Sequence, residues 1–106
     1  MADDVITEIE NEIRDNKVMI YMKGTPSFPQ CGFSATTIEI FEELGRPFNS
    51  VDILSNPAKR EGVKRYSNWP TIPQIYVDGK FIGGCDIVRE MHQRGELKRL
   101  LDTSFS

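Results

Sequence analysis

The run Val18-Met19-Ile20-Tyr21-Met22 most narrows the folds open to this chain. Its successive apolar residues leave no polar face, and Gly24 and Pro26 stop it at strand length. Such a run is a strand covered on both sides, so helices must lie above and below its sheet. The flanks agree. Ahead of it, Val5, Ile6, Ile9 and Ile13 fall near helical spacing behind an acidic start, which predicts an amphipathic helix ending near Asn16. Behind it, Ile38, Phe41 and Leu44 form an apolar stripe with Glu39, Glu42 and Glu43 off it, and Gly45 suits the residue just past a helix. This second helix has Cys31 at its N-terminus.

Phe48 to Ile53 reads as a strand and Pro57 to Tyr66 as a short helix. Gln74 to Val77 and Lys80 to Ile82 flank Asp78-Gly79, a pair suited to a two-residue type I′ hairpin turn. A last helix is expected to open with Asp86 as N-cap and to carry Ile87, Val88 and Met91. Gly95 interrupts it, and Leu97, Leu100 and Leu101 continue its apolar face. The order is α-β-α-β-α-β-β-α: a βαβ unit, a helix, then an antiparallel hairpin. The expected class is α/β, a four-stranded mixed sheet with helices on both faces, which is the pattern of a thioredoxin-like fold. A length of 106 residues fits one domain over 1–106 and allows a modest core without disulfide or metal.

Composition narrows function more than fold. The net charge of -3, with 27% charged residues, gives no basic footprint for nucleic acid. No apolar run approaches the ~18 residues of a membrane span. The acidic opening Met1-Ala2-Asp3-Asp4 has no apolar signal core, so a reducing, cytoplasmic location is expected and a structural Cys31–Cys85 disulfide is not. The sole histidine, His92, falls on an expected surface helix as a solvated residue, without triad partners for a cysteine hydrolase. One His and two distant Cys also lack zinc-ligand spacing.

The chemistry concentrates at Cys31. A thiol at a helix N-terminus meets unpaired backbone N–H groups and the positive end of the helix dipole, which can lower its pKa from about 8.5 to roughly 3.5–7.5. Lys23, at the end of the first strand, adds positive potential. A thiolate is both a nucleophile and a soft metal ligand. The competing reading is a small, inert, buried cysteine. Ser34 stands where a C-x-x-C site has its second thiol, and a hydroxyl cannot close a disulfide. Intramolecular dithiol cycling is therefore excluded.

Lys23, Cys31-Gly32-Phe33-Ser34, Trp69-Pro70-Thr71-Ile72-Pro73 and Gly83-Gly84-Cys85-Asp86 occur in order. Together with the long loop Gly24 to Gln30, the chain resembles a single-domain monothiol glutaredoxin of the CGFS type, from about Ile6 to Leu101. Ile72 departs from relatives that carry phenylalanine there. The family meets glutathione at this position largely through the backbone, so little consequence is expected.

The resemblance implies a glutathione site, and the residues can be read the same way. Glutathione has two separated carboxylates and one ammonium. Lys23 and Arg60 suit its glycine carboxylate, Arg60 by a bidentate contact, although both also read as solvated surface charges. The resemblance implies a cis Ile72–Pro73 bond that turns backbone toward the ligand. Gly83-Gly84 either allows close backbone approach or simply ends a strand. The helix beginning near Asp86 offers N–H donors to the γ-glutamyl carboxylate. Asp86 itself either accepts from the γ-glutamyl ammonium or only caps. Trp69 reads as structural, packed beneath the loop.

A [2Fe–2S] cluster needs four soft ligands, and this chain offers one well-placed thiolate. Two chains with two glutathiones supply four. The arithmetic favours a homodimer bridged by a cluster, and the resemblance implies the same arrangement and a mixed complex with a BolA-like protein. The expected function is a labile cluster carrier between an assembly scaffold and recipient apoproteins. Cys85 is expected partly buried beside the pocket, its backbone mattering more than its sulfur, although two chains could also count four thiolates from Cys31 and Cys85. The alternatives are a monothiol oxidoreductase that deglutathionylates proteins and a redox- or iron-sensing interaction module.

Overall fold

The computed structural model describes residues 2–106, so Met1 of the expected 1–106 domain lies outside the described residues. Helix α1 (Ala2–Asp15) leads into β1 (Val18–Met22), followed by α2 (Gly32–Leu44), β2 (Asn49–Asp52), α3 (Pro57–Ser67), β3 (Gln74–Val77), β4 (Lys80–Gly83), α4 (Cys85–Gln93) and α5 (Glu96–Ser104). The four strands form one sheet in the order β2-β1-β3-β4. Strand β1 is parallel to β2 and antiparallel to β3, and β3 is antiparallel to β4. The fold is thioredoxin-like, as the element order implied.

All five residues of β1 are buried, because the sheet is covered on both faces. Val18, Ile20 and Met22 point to one layer, with Ile75 and Val77 of β3, and meet Ile38 and Phe41 of α2, Val88 of α4, and Leu97 and Leu101 of α5. Met19 and Tyr21 point the other way, with Tyr76, and meet Ile9 and Ile13 of α1 and Val63 of α3. The period of two along the strand thus serves two cores, each buried aliphatic contributing about 1.5–3 kcal/mol.

Two expectations at the C-terminal end need correction. The final helical region is two helices, because Gly95 turns the chain at φ 77 instead of merely interrupting one helix. Asp86 is not the N-cap of α4. The chain is still extended at Gly84 (φ -99, ψ -163) and helical from Cys85, so Gly84 caps without a side chain and Asp86 falls within the first turn.

Nothing in the local sequence marks the polar clamp between α1 and α3. Lys59 is only 4% exposed. Its Nζ lies 2.6 Å from Glu12 Oε2 and also bonds Glu8. Glu12 accepts the Tyr21 hydroxyl at 2.7 Å, tying the clamp to the sheet. Burial pushes the Lys59 pKa down, but Glu12 and Glu8 outweigh it and hold the ammonium above its ordinary value. No helix among the described residues is long and apolar enough to cross a membrane.

Candidate functional site

Cys31 is the N-cap of α2, with extended backbone at φ -155 and ψ 148. Ser34 N–H donates to its Sγ at 3.5 Å, and Ser34 Oγ lies 3.7 Å away. The Lys23 N–H, just past β1, donates to that same Oγ at 3.1 Å. With one lone pair so engaged, the Ser34 proton is free to point at the sulfur. Ser34 is fully buried, which fixes its hydroxyl in place, and Cys31 is half-buried. Burial pushes the Cys31 thiol up. The Ser34 N–H, the Ser34 hydroxyl, the Phe33 N–H and the Lys23 charge, in falling order, outweigh it and hold the pKa below the ordinary thiol value. The serine therefore does not merely replace a thiol; it donates to the thiolate.

Alkylation by iodoacetamide is accordingly expected to follow a titration with a midpoint below the ordinary thiol value near 8.5. Ser34→Ala should move the midpoint upward, because the N–H contribution survives but the hydroxyl is lost. Lys23→Gln should move it upward by less. An unchanged midpoint in Ser34→Ala would remove the hydroxyl from this account. The thiolate's contribution to stability is full above the unfolded thiol pKa and fades as pH falls through the folded one.

Phe33, in the turn that Cys31 caps, joins Trp69, Thr71, Ile72, Pro73, Gly84, Cys85, Asp86 and Ile87 in lining an open cleft of about 210 Å³. The fold therefore brings Ile72, Gly84, Cys85 and Asp86 together, while Cys31, Lys23 and Arg60 lie outside this lining. The Ile72–Pro73 bond is cis. At Gly84 a Cβ would lie 3.2 Å from Pro73 O and 3.6 Å from Trp69 Nε1, so a side chain there would crowd the wall of the cleft. Among the described residues no side chain caps the N-terminus of α4, whose first-turn N–H groups are open to an anion. Asp86 is exposed and paired with Arg89 at 3.0 Å. Arg60, on α3, has a buried Nε without a partner among the described residues, a donor suited to an incoming carboxylate.

Several expectations shift here. Trp69 does not lie beneath the loop: it is 37% exposed, lines the cleft, and packs against Phe81 at 5.8 Å. Cys85 is fully buried, at 5% exposed, and both cysteines are free. His92 is half-buried, with Nε2 3.5 Å from Glu43 Oε2, instead of simply solvated. Sequence reasoning did not assign Phe33, Thr71 or Ile87 to the site. The available signal was large apolar residues within the chemical motifs. Phe28 and Phe33 are 74% and 60% exposed, so bare rings flank the thiol.

The chain matches the family model described as Glutaredoxin over residues 18–82. It is 49% identical, over 98 residues, to a Synechocystis protein named "Uncharacterized monothiol glutaredoxin ycf64-like", covering 92% of each. It is 50% identical over 96 residues to "Glutaredoxin 4" of Escherichia coli, covering 91% of this chain and 84% of that protein. The solution structure of reduced poplar apo GrxS14 superposes with a TM-score of 0.81 at 47% identity, covering 93% of this chain and 91% of the other.

Proposed function

The chain belongs to the glutaredoxin family, among its monothiol members, and on that premise we propose that it carries a [2Fe–2S] cluster between other proteins. Two copies hold the cluster, each giving Cys31 and one bound glutathione. The observation that carries this reading is the half-exposed Cys31 thiol at the head of α2, its pKa held below the ordinary thiol value, with Phe33 of the same first turn lining an open cleft. Among the described residues no group of three or more His, Cys, Asp and Glu could hold a metal ion within one chain. On this reading the remaining ligands come from a second chain and from an external thiol, since thiolates are what a cluster takes.

Glutathione fits the cleft by its charges. The Ile72 and Gly84 backbone and the open first turn of α4 receive the γ-glutamyl end, with Asp86 near its ammonium. Lys23 and Arg60 receive the glycine carboxylate, beyond the cleft lining. The bare Phe28 and Phe33 rings suit cover by a second chain. The same face would serve a BolA-like partner, an assembly scaffold and recipient apoproteins, in a reducing, cytoplasmic setting.

The test is anaerobic reconstitution with iron, sulfide and glutathione. The expected product is a coloured dimer containing two glutathiones by native mass spectrometry. A colourless monomer would overturn the proposal. Cys85→Ser should keep its cluster; complete loss there would instead favour four protein thiolates. The half-exposed Cys31 sulfur also supports a second reading, in which it takes glutathione from a glutathionylated protein and a second glutathione regenerates it. Steady-state deglutathionylation separates the two, and slow turnover is expected.

A further inference from the structure

Gln74 opens β3 and is fully buried, yet its side chain leaves the strand's own hydrogen-bond ladder to hold a neighbouring segment. Its Nε2 donates to Trp69 O at 3.0 Å and to Thr71 O at 3.3 Å. Its Oε1 accepts the Tyr76 hydroxyl at 3.2 Å. Both donors and one acceptor site of the amide are thus committed. Burial, partly offset by Ser67 and assisted by Tyr66, pushes the Tyr76 phenol up to about 12, so it remains a donor at neutral pH. The Trp69 N–H in turn donates to Ser67 Oγ at 3.1 Å. Trp69 is therefore held at both its N–H and its carbonyl, from below the cleft that it lines.

We infer that Gln74 is a positioning residue for the glutathione site: its buried amide draws in the Trp69 and Thr71 carbonyls and thereby sets the cleft wall at Ile72. This rests on the glutathione reading given above. Gln74 does not touch the ligand. A side chain that only filled space at this position would leave the Trp69 and Thr71 carbonyls without their donor and take one acceptor from the Tyr76 phenol, and the wall would relax to regain those bonds. Aligned backbone at a binding site loses affinity when its support loosens, even where the fold survives.

The experiment compares wild type with Gln74→Met, Tyr76→Phe and Leu101→Ala. Leu101 lies in the opposite core layer, so its variant lowers stability without touching the loop. Glutathione is titrated into each chain, with amide hydrogen exchange followed over 69–72. Gln74→Met should bind about tenfold more weakly, as expected for unpaired buried carbonyls, and exchange faster over 69–72 with β1 unaffected. Tyr76→Phe, which removes one hydroxyl and keeps the fold safe, should lose about two- to threefold. Leu101→Ala should bind as wild type does, and the Cys31 alkylation midpoint should be unmoved in Gln74→Met. Wild-type affinity in both Gln74→Met and Tyr76→Phe, or an equal loss in Leu101→Ala, would overturn the inference. A wild-type chain that binds no glutathione would overturn the functional reading and this inference together.

Discussion

Cys31→Ser is expected to fold as the parent does and to take up no cluster. The substitution changes one atom at the N-cap of α2. Serine is a favoured N-cap, so helix stability should stay within about 1 kcal/mol or rise slightly. What disappears is an ionised, soft ligand: a serine hydroxyl stays protonated near neutral pH, and its oxygen is a poor match for iron in a sulfide cluster. Reconstitution should give no charge-transfer colour and a monomer by native mass spectrometry, with an unfolding midpoint near that of the parent. Retained colour in Cys31→Ser would transfer the ligand role to another sulfur, and Cys85 is the other one in the chain.

Gly24→Val should give the largest loss of stability among substitutions in the loop before Cys31. Gly24 adopts φ 88, which L side chains disfavour by about 1–2 kcal/mol. An added Cβ would fall 2.4 Å from Phe28 O and 2.7 Å from Gln30 N, both backbone atoms that cannot rotate away. Gly24 also pairs with Pro29 as a bridge and donates its N–H to Asp52 Oδ1 at 2.9 Å. Adding the clash to the conformational cost gives about 3 kcal/mol, a fall of roughly 10–20 °C in Tm for a domain of this size. Thermal unfolding by circular dichroism measures it. If the loop yields while the fold survives, the Cys31 alkylation midpoint should rise, because Lys23 and Ser34 lose their placement. A variant with both parental Tm and parental midpoint would show that the loop has room that its backbone contacts deny.

Much of this arrangement was legible because local chemistry and tertiary demand agree. The β1 run matches the strand residue for residue. Asp78 and Gly79 both take positive φ, as a type I′ turn requires. Gly45 caps α2 in the left-handed region, and Cys31 caps the other end. The misreadings occur where distant contacts decide. Asp86 has the local features of a cap, but the extended backbone at Gly84, set against Pro73 and Trp69, starts the helix earlier. Trp69 reads as a structural residue packed beneath the loop, yet it lines the cleft. A buried lysine cannot be inferred at position 59, because its partners Glu8 and Glu12 lie 51 and 47 residues away. Gln74 was equally silent, since a glutamine at a strand start carries no sign of where its amide reaches.

The Lys59 clamp bears on how this chain can be joined to others. Helix α1 supplies both carboxylates that neutralise a buried ammonium, and it lays Ile9 and Ile13 over the sheet. Trimming the chain past Glu12 would strand that charge and bare the underlying layer, so a fused partner or affinity handle belongs ahead of Ala2, with α1 kept whole.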